Sequence, residues 1–230
     1  MAATDIIIQR EPGYAVLRLS SSARLNRLGT ELLDTLFLHT TKCLADPELR
    51  CLVIQGVGGS FAVGADLNEI LELNPARARL FSDLGNSIFR AIERSSTAVI
   101  AAIDGYCLGG GLDLALAADW RISTQRSVFG HPGVDLGVIT GFGGTQRLSR
   151  LIGHKKSLEM FFSGRRVKAQ EAYLTGLVQE LCSEEDFESR LTERIEHFLN
   201  MEPNGIGELK SRLIDLPPVG SSMLEGSWTI

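Results

Sequence analysis

The chain predicts an α/β fold, and three observations carry that prediction. Short apolar runs at 50–55, 98–103 and 120–123 are flanked by glycine or polar residues, the pattern of buried strands. Between them lie stretches with helical apolar spacing at 31–44 and 75–93. From about residue 143 to Asn200 the pattern turns mainly helical, broken at Gly153, Gly164 and Gly176.

In order, Asp5-Ile-Ile-Ile-Gln-Arg and Tyr14-Ala-Val-Leu-Arg-Leu flank Glu11-Pro12-Gly13 and read as an opening β-hairpin. A polar loop, Ser20 to Arg27, leads to the helix that begins near Glu31 and continues to Leu44. Arg50-Cys-Leu-Val-Ile-Gln is a short buried strand ended by Gly56-Val-Gly-Gly-Ser60. Asp66-Leu-Asn-Glu69 has the acid-x-x-Glu form of a helix start, with Asp66 as the cap. An amphipathic helix follows from about Pro75 to Glu93, then the strand at Ala98. Gly105 to Gly111 reads as a glycine-rich turn opening a helix that carries Asp113 in its first turn, where an acid is favoured. Trp120-Arg-Ile-Ser123 and Ser127-Val-Phe129 are further strands, and Ile206 to Ile214 is a last amphipathic piece. A core domain over 1–200 and a short C-terminal helix and tail over 201–230 are therefore expected, Pro217-Pro218 and Gly220-Ser-Ser suggesting a loosely held end.

Composition narrows the function. Hydrophobic content of 44% and charged content of 22% are those of an ordinary soluble globular chain. A net charge of −5 argues against a broad nucleic-acid or anionic-membrane footprint. Cys43, Cys51, Cys107 and Cys182 are scattered, without zinc-ligand spacing, and read as buried thiols of a reducing compartment. Asp5, Arg10 and Glu11 interrupt the first segment, so no signal peptide is expected. No apolar run approaches the ~18 residues of a membrane span. A cytoplasmic protein is the expectation.

Several segments, in order, carry a resemblance. Phe61-Ala-Val-Gly64-Ala65-Asp66, Ala101-Ala-Ile-Asp-Gly105-Tyr-Cys-Leu-Gly-Gly-Gly, Asp119, and Gly143-Gly-Thr-Gln-Arg-Leu148 resemble the crotonase (enoyl-CoA hydratase/isomerase) superfamily. Phe162-Ser-Gly and Ala169-Gln-Glu-Ala172 through Gly176-Leu-Val178 extend the match over most of residues 5–200. The resemblance implies a crotonase-like spiral of ββα units with a helical C-terminal trimerisation region. It also implies a homotrimer or dimer of trimers and an acyl-CoA thioester substrate, with no cofactor beyond the coenzyme A that is part of that substrate. Ala65 and Gly110 match the positions whose backbone N–H groups bind the thioester oxygen. That oxygen becomes negative when a proton leaves the acyl chain, and losing one preorganised donor costs ~3 kcal/mol in such sites. Ala23, Arg24 and Leu25 lie where the nucleotide-binding loop of the family lies, and Asp66 and Leu67 join them, with Ala65 and Gly110, as candidate CoA-binding residues; a guanidinium such as that of Arg24 suits a phosphate.

The chain departs from the family's two-glutamate pattern. Asp113 stands at the first acid position. At the second the chain reads His131-Pro132-Gly133, with no carboxylate. Asp135, two residues onward, would share a face with Gly133 on an extended segment. Acids that other members place later correspond to Thr140 and Gly141. His131 is a second candidate base whose ordinary reading is packing or hydrogen bonding, and Cys107 reads as a packing residue. With Asp113 as sole acid/base, both hydration and a double-bond shift are open, and the shift is less demanding because one base can remove and return the proton. The rival is a non-catalytic acyl-CoA-binding or assembly protein on the same fold. Family chains usually continue past Ile230, so a shortened tail or a missing part of the pocket lid is expected.

Overall fold

A computed structural model describes residues 4–21 and 25–214. Strands β1 (Thr4–Glu11) and β2 (Tyr14–Ser21) form the expected antiparallel hairpin, with Glu11 opposite Tyr14 across the turn. Helix α1 (Thr30–Leu44) buries Leu32, Leu33, Leu36 and Cys43 on one stripe, as its spacing requires. Strand β3 (Cys51–Gly56) is followed by a short β4 (Ser60–Ala62) and by α2 (Leu67–Glu72). The Asp66 carboxylate accepts from the Asn68 N–H at 3.0 Å and so caps α2 as expected. Helix α3 (Pro75–Arg94) opens with Asn74, whose side chain accepts from the Arg77 N–H at 3.0 Å.

The next units repeat that logic. β5 (Ala98–Ile103) is buried throughout; β6 (Tyr106–Leu108) follows, and then α4 (Gly110–Ala117). Every residue of α4 is buried, which its near-continuous apolar sequence demands. β7 (Trp120–Thr124) and β8 (Val128–Gly130) lead to a single 3₁₀ turn over Pro132–Leu136. The chain continues through α5 (Gly144–Ile152), α6 (His154–Ser163), β9 (Val167–Lys168), α7 (Ala169–Leu174), β10 (Glu180–Cys182), α8 (Phe187–Leu199) and α9 (Pro203–Ile214).

Successive strand pairs feed two sheets. The larger has the order β1-β2-β3-β5-β7-β10, parallel except for the opening hairpin. The smaller has the order β4-β6-β8-β9, with β4, β6 and β8 parallel. The strand pairs β3/β4, β5/β6 and β7/β8 thus each contribute one strand to each sheet, whereas the opening hairpin places both of its strands in the larger. Both faces of the larger sheet are covered, which explains why its strands are apolar runs and not alternating ones. Leu17, Leu52, Ile54 and Val99 enter the main core, while Val53, Ile100 and Ile122 meet Phe187, Leu191 and Ile195 of α8 on the other face.

Residues 143–200 are mainly helical, as expected, and also hold β9 and β10, whose runs of two and three residues are too short to show a period. One sequence expectation needs correction. The segment after His131 is a 3₁₀ turn instead of an extended strand, closed by the Val138 N–H donating to the Gly133 carbonyl at 2.9 Å. Gly133 and Asp135 therefore do not share a strand face, and Asp135 is exposed.

Candidate active site

The segments that follow β4, β6 and β8 converge on one cleft of ≈ 940 Å³. They bring Ala65, Gly110 and His131 to its wall, with Thr140 and Phe142 contributed by the loop before α5. Of the predicted binding residues, Leu25, Ala65, Asp66, Leu67 and Gly110 all line this cleft. Ala23 and Arg24 lie outside the described residues. Arg27 lines the cleft and was not singled out by sequence reasoning, although it stands next to the loop that was.

Ala65 and Gly110 are placed as donors by backbone geometry. Gly109 has φ +52° and ψ −127°, a conformation that favours glycine and turns the chain from β6 into α4. Gly110 opens that helix, so its N–H has no intrahelical acceptor. Neither it nor the Ala65 N–H has a hydrogen-bond partner among the described residues. The two loops touch: a side chain at Gly64 would begin 3.2 Å from the Gly110 nitrogen. Asn26, fully buried, holds the Ala65 loop in place. Its carbonyl accepts from the Val63 N–H at 2.9 Å, and its amide donates to the carbonyls of Ser60 at 2.7 Å and Phe61 at 3.2 Å. Nothing local marks Asn26 in the sequence, because its partners lie more than thirty residues away.

Asp113 lies behind this wall. Its side chain is 0% exposed and forms no part of the cleft surface. The Thr140 hydroxyl donates to Oδ2. Oδ1 has no hydrogen-bond partner and faces His131 Nε2 at 3.5 Å, which is likewise unpartnered. Burial pushes the carboxyl up to about 7, against the lowering effects of the Thr140 hydrogen bond and the Arg147 charge. Burial pushes His131 down to about 4. Between those values the pair is uncharged, with its proton on Asp113. His131 stacks on Phe161 with ring centroids 4.6 Å apart, so it packs as well as facing the carboxyl. The arrangement can stabilise an oxyanion at the wall and store a proton behind it.

The second acid position offers only backbone. A side chain at Gly133 would begin 2.6 Å from the Val138 carbonyl oxygen, so the turn has closed around the missing carboxylate. Asp135 does not line the cleft. Thr140, read in the sequence only as the absence of an acid, is the residue that contacts Asp113. The Cys107 thiol is fully buried and pushed well above its ordinary value by burial, which suits a packing role. Asp119 accepts from the Val99 N–H and pairs with Lys210 at 2.8 Å, away from the cleft.

A family model described as enoyl-CoA hydratase/isomerase matches residues 9–215. The chain belongs to that family. Within it, the chain is 37% identical over 182 residues to a short-chain-enoyl-CoA hydratase of Clostridium acetobutylicum, covering 79% of this chain and 70% of the relative. It is 38% identical over 187 residues to a crotonyl-CoA hydratase of Syntrophomonas wolfei, covering 81% and 72%. Among solved structures, an enoyl-CoA hydratase from Bacillus anthracis superposes with a TM-score of 0.86 at 32% identity, over 91% of this chain and 82% of that one. The fold is the crotonase fold, and membership makes the chain an enzyme of the enoyl-CoA hydratase/isomerase type. No helix among the described residues is long and apolar enough to cross a membrane. Among the same residues, no group of three or more His, Cys, Asp or Glu side chains is placed to hold a metal ion.

Proposed function

We propose that the enzyme acts on an enoyl-CoA thioester by forming an enolate whose oxygen is held by the Ala65 and Gly110 N–H groups, with Asp113 as the single carboxylate acid/base. A 3-enoyl thioester loses a proton from Cα. Its electrons move into a dienolate whose charge rests on the thioester oxygen, and the proton returns at Cγ. One group that takes a proton and gives it back is sufficient for this double-bond shift, and a carboxyl near 7 is suited to both halves at neutral pH. The observation that carries the reading is two unpartnered N–H groups on a cleft wall with one buried carboxyl behind them. Leu25, Asp66 and Leu67 would border the coenzyme A end, where Arg27, the arginine that lines the cleft, would meet a phosphate.

Hydration is the second reading, favoured by the two relatives named as hydratases. Incubation with 2-enoyl- and 3-enoyl-CoA in D₂O distinguishes the two. The expected result is double-bond migration with deuterium at Cα and Cγ; accumulation of the 3-hydroxyacyl product would select hydration. Binding without either reaction or exchange, across acyl lengths, would leave only an acyl-CoA-binding role. A homotrimer or dimer of trimers is part of the same proposal, supported by the large apolar side chains left exposed on the protomer, among them Leu71, Ile139 and Phe162. Light scattering on the full chain tests it.

A further inference from the structure

We propose that the Thr140 hydroxyl carries the proton between Asp113 and the substrate, so that Asp113 is a buried proton store and Thr140 is the group in contact with the acyl chain. The inference rests on the acid/base reading of Asp113 given above. Asp113 has no exposed surface and does not line the cleft, whereas Thr140 does line it and donates its hydroxyl to Oδ2. A proton leaving the substrate therefore meets the threonine oxygen before it can meet the carboxylate.

The hydroxyl is held in register by its own loop. The carbonyl of Gly141, the next residue, accepts from Ser82 Oγ at 2.6 Å and from Asn86 Nδ2 at 2.7 Å, which ties the loop to α3. The backbone of Gly144 lies against the carboxylate on another side and leaves no room for a side chain there. His131 is the other polar side chain at the carboxylate, but its Nε2 stands 3.5 Å from Oδ1, beyond a good hydrogen bond.

The relay balances without a further reactant. In the forward half the Cα–H bond breaks and its proton joins the Thr140 oxygen, while that oxygen's own proton passes to Oδ2 of Asp113. The electron pair of the broken bond enters the dienolate, with its charge at the thioester oxygen. In the return half Asp113 gives its proton back to Thr140 as the hydroxyl delivers one to Cγ. Threonine ends as it began. The two transfers in each half must be concerted, because an alcohol is too weak a base to hold the proton alone.

The test uses the full chain, with turnover and Cα deuterium exchange as readouts. Thr140→Val keeps the shape of the side chain and removes the hydroxyl; Thr140→Ser restores it. The valine variant is expected to lose about 100-fold in kcat with KM within about twofold, and serine to recover most of the loss. Thr140→Val combined with Asp113→Asn should be no slower than the slower single variant, because both act on one path. If Thr140→Val turns over normally while Asp113→Asn does not, the relay is wrong and the acid/base reading stands. If Asp113→Asn turns over normally, that reading falls and takes the relay with it. A rise in KM alone, or a loss that serine does not repair, would make Thr140 a binding or structural residue and overturn the proposal.

Discussion

Asp113 and His131 are shifted in opposite directions, and the sign of each shift decides how stability answers to pH. Asp113 moves from an ordinary 3.8 to about 7, so between those values the folded chain binds more protons than the unfolded chain and stability falls as pH rises. His131 moves from 6.5 to about 4, so the unfolded chain binds more protons across that window and stability rises. The two slopes, each up to ~1.4 kcal/mol per pH unit, oppose one another from about pH 4 to 6.5. Arg147 is the charge that acts on Asp113, His131 stands 3.5 Å from its Oδ1, and Cys107, itself raised by burial and by Asp113, stays unionised. The wild-type melting temperature should accordingly vary little over that range. Asp113→Asn should unmask a melting temperature that climbs from pH 4 to 6.5, and His131→Gln one that declines from pH 4 to 7. Parallel profiles in all three proteins would show that the two groups do not titrate as their burial implies.

At the scale of elements, Lys210 anchors α9 alongside the buried Ile206. Lys210 is nearly buried and donates to the carbonyls of Ile92 at 3.1 Å and Thr97 at 3.0 Å, to Ser95 Oγ at 3.1 Å, and to Asp119 at 2.8 Å. Lys210→Met keeps the aliphatic stem but leaves these acceptors unmatched; urea unfolding should report a loss of about 2–3 kcal/mol. The 3₁₀ turn makes a second prediction. Gly133→Glu should not confer fast hydration, because its Cβ would press on the Val138 carbonyl and strain the turn before the carboxylate could reach the cleft. A hydration rate raised tenfold or more would refute that. How much was legible in advance follows the same division. The hairpin, α1, α3 and the long parallel strands are strongly periodic or strongly apolar, and they stand where the sequence placed them. The short strands β4, β6, β9 and β10 show no pattern of their own and become visible only through their neighbours, the first three in the smaller sheet and β10 beside β7 in the larger. Ala65 and Gly110 came from the family resemblance carried by the segments around them, and both line the cleft. Asn26 and Thr140 were not legible, because what each does depends on atoms brought from more than twenty residues away.

For the molecule as a whole, charge sets the terms on which substrate arrives. The protein carries −5 and coenzyme A carries several phosphates, so the long-range force on approach is repulsive. Raising salt from about 10 to about 150 mM shortens the screening length from ~30 to ~8 Å and should raise kcat/KM about twofold. A steep fall instead would mean that the local field of Arg27 outweighs the net charge. The smaller sheet has a consequence of a different kind. β4, β6 and β8 are adjacent parallel strands, and Ala65, Gly110 and His131 each follow one of them within a few residues. Neighbouring strands sit ~4.8 Å apart because backbone hydrogen bonds hold them there. The sheet is thus a gauge block for the cleft: it sets the pitch at which Ala65, Gly110 and His131 stand along the wall, independently of which side chains are mounted there. Exchanging a glutamate for a glycine, or a carboxylate for a hydroxyl, alters the tool without altering the spacing of the jaws.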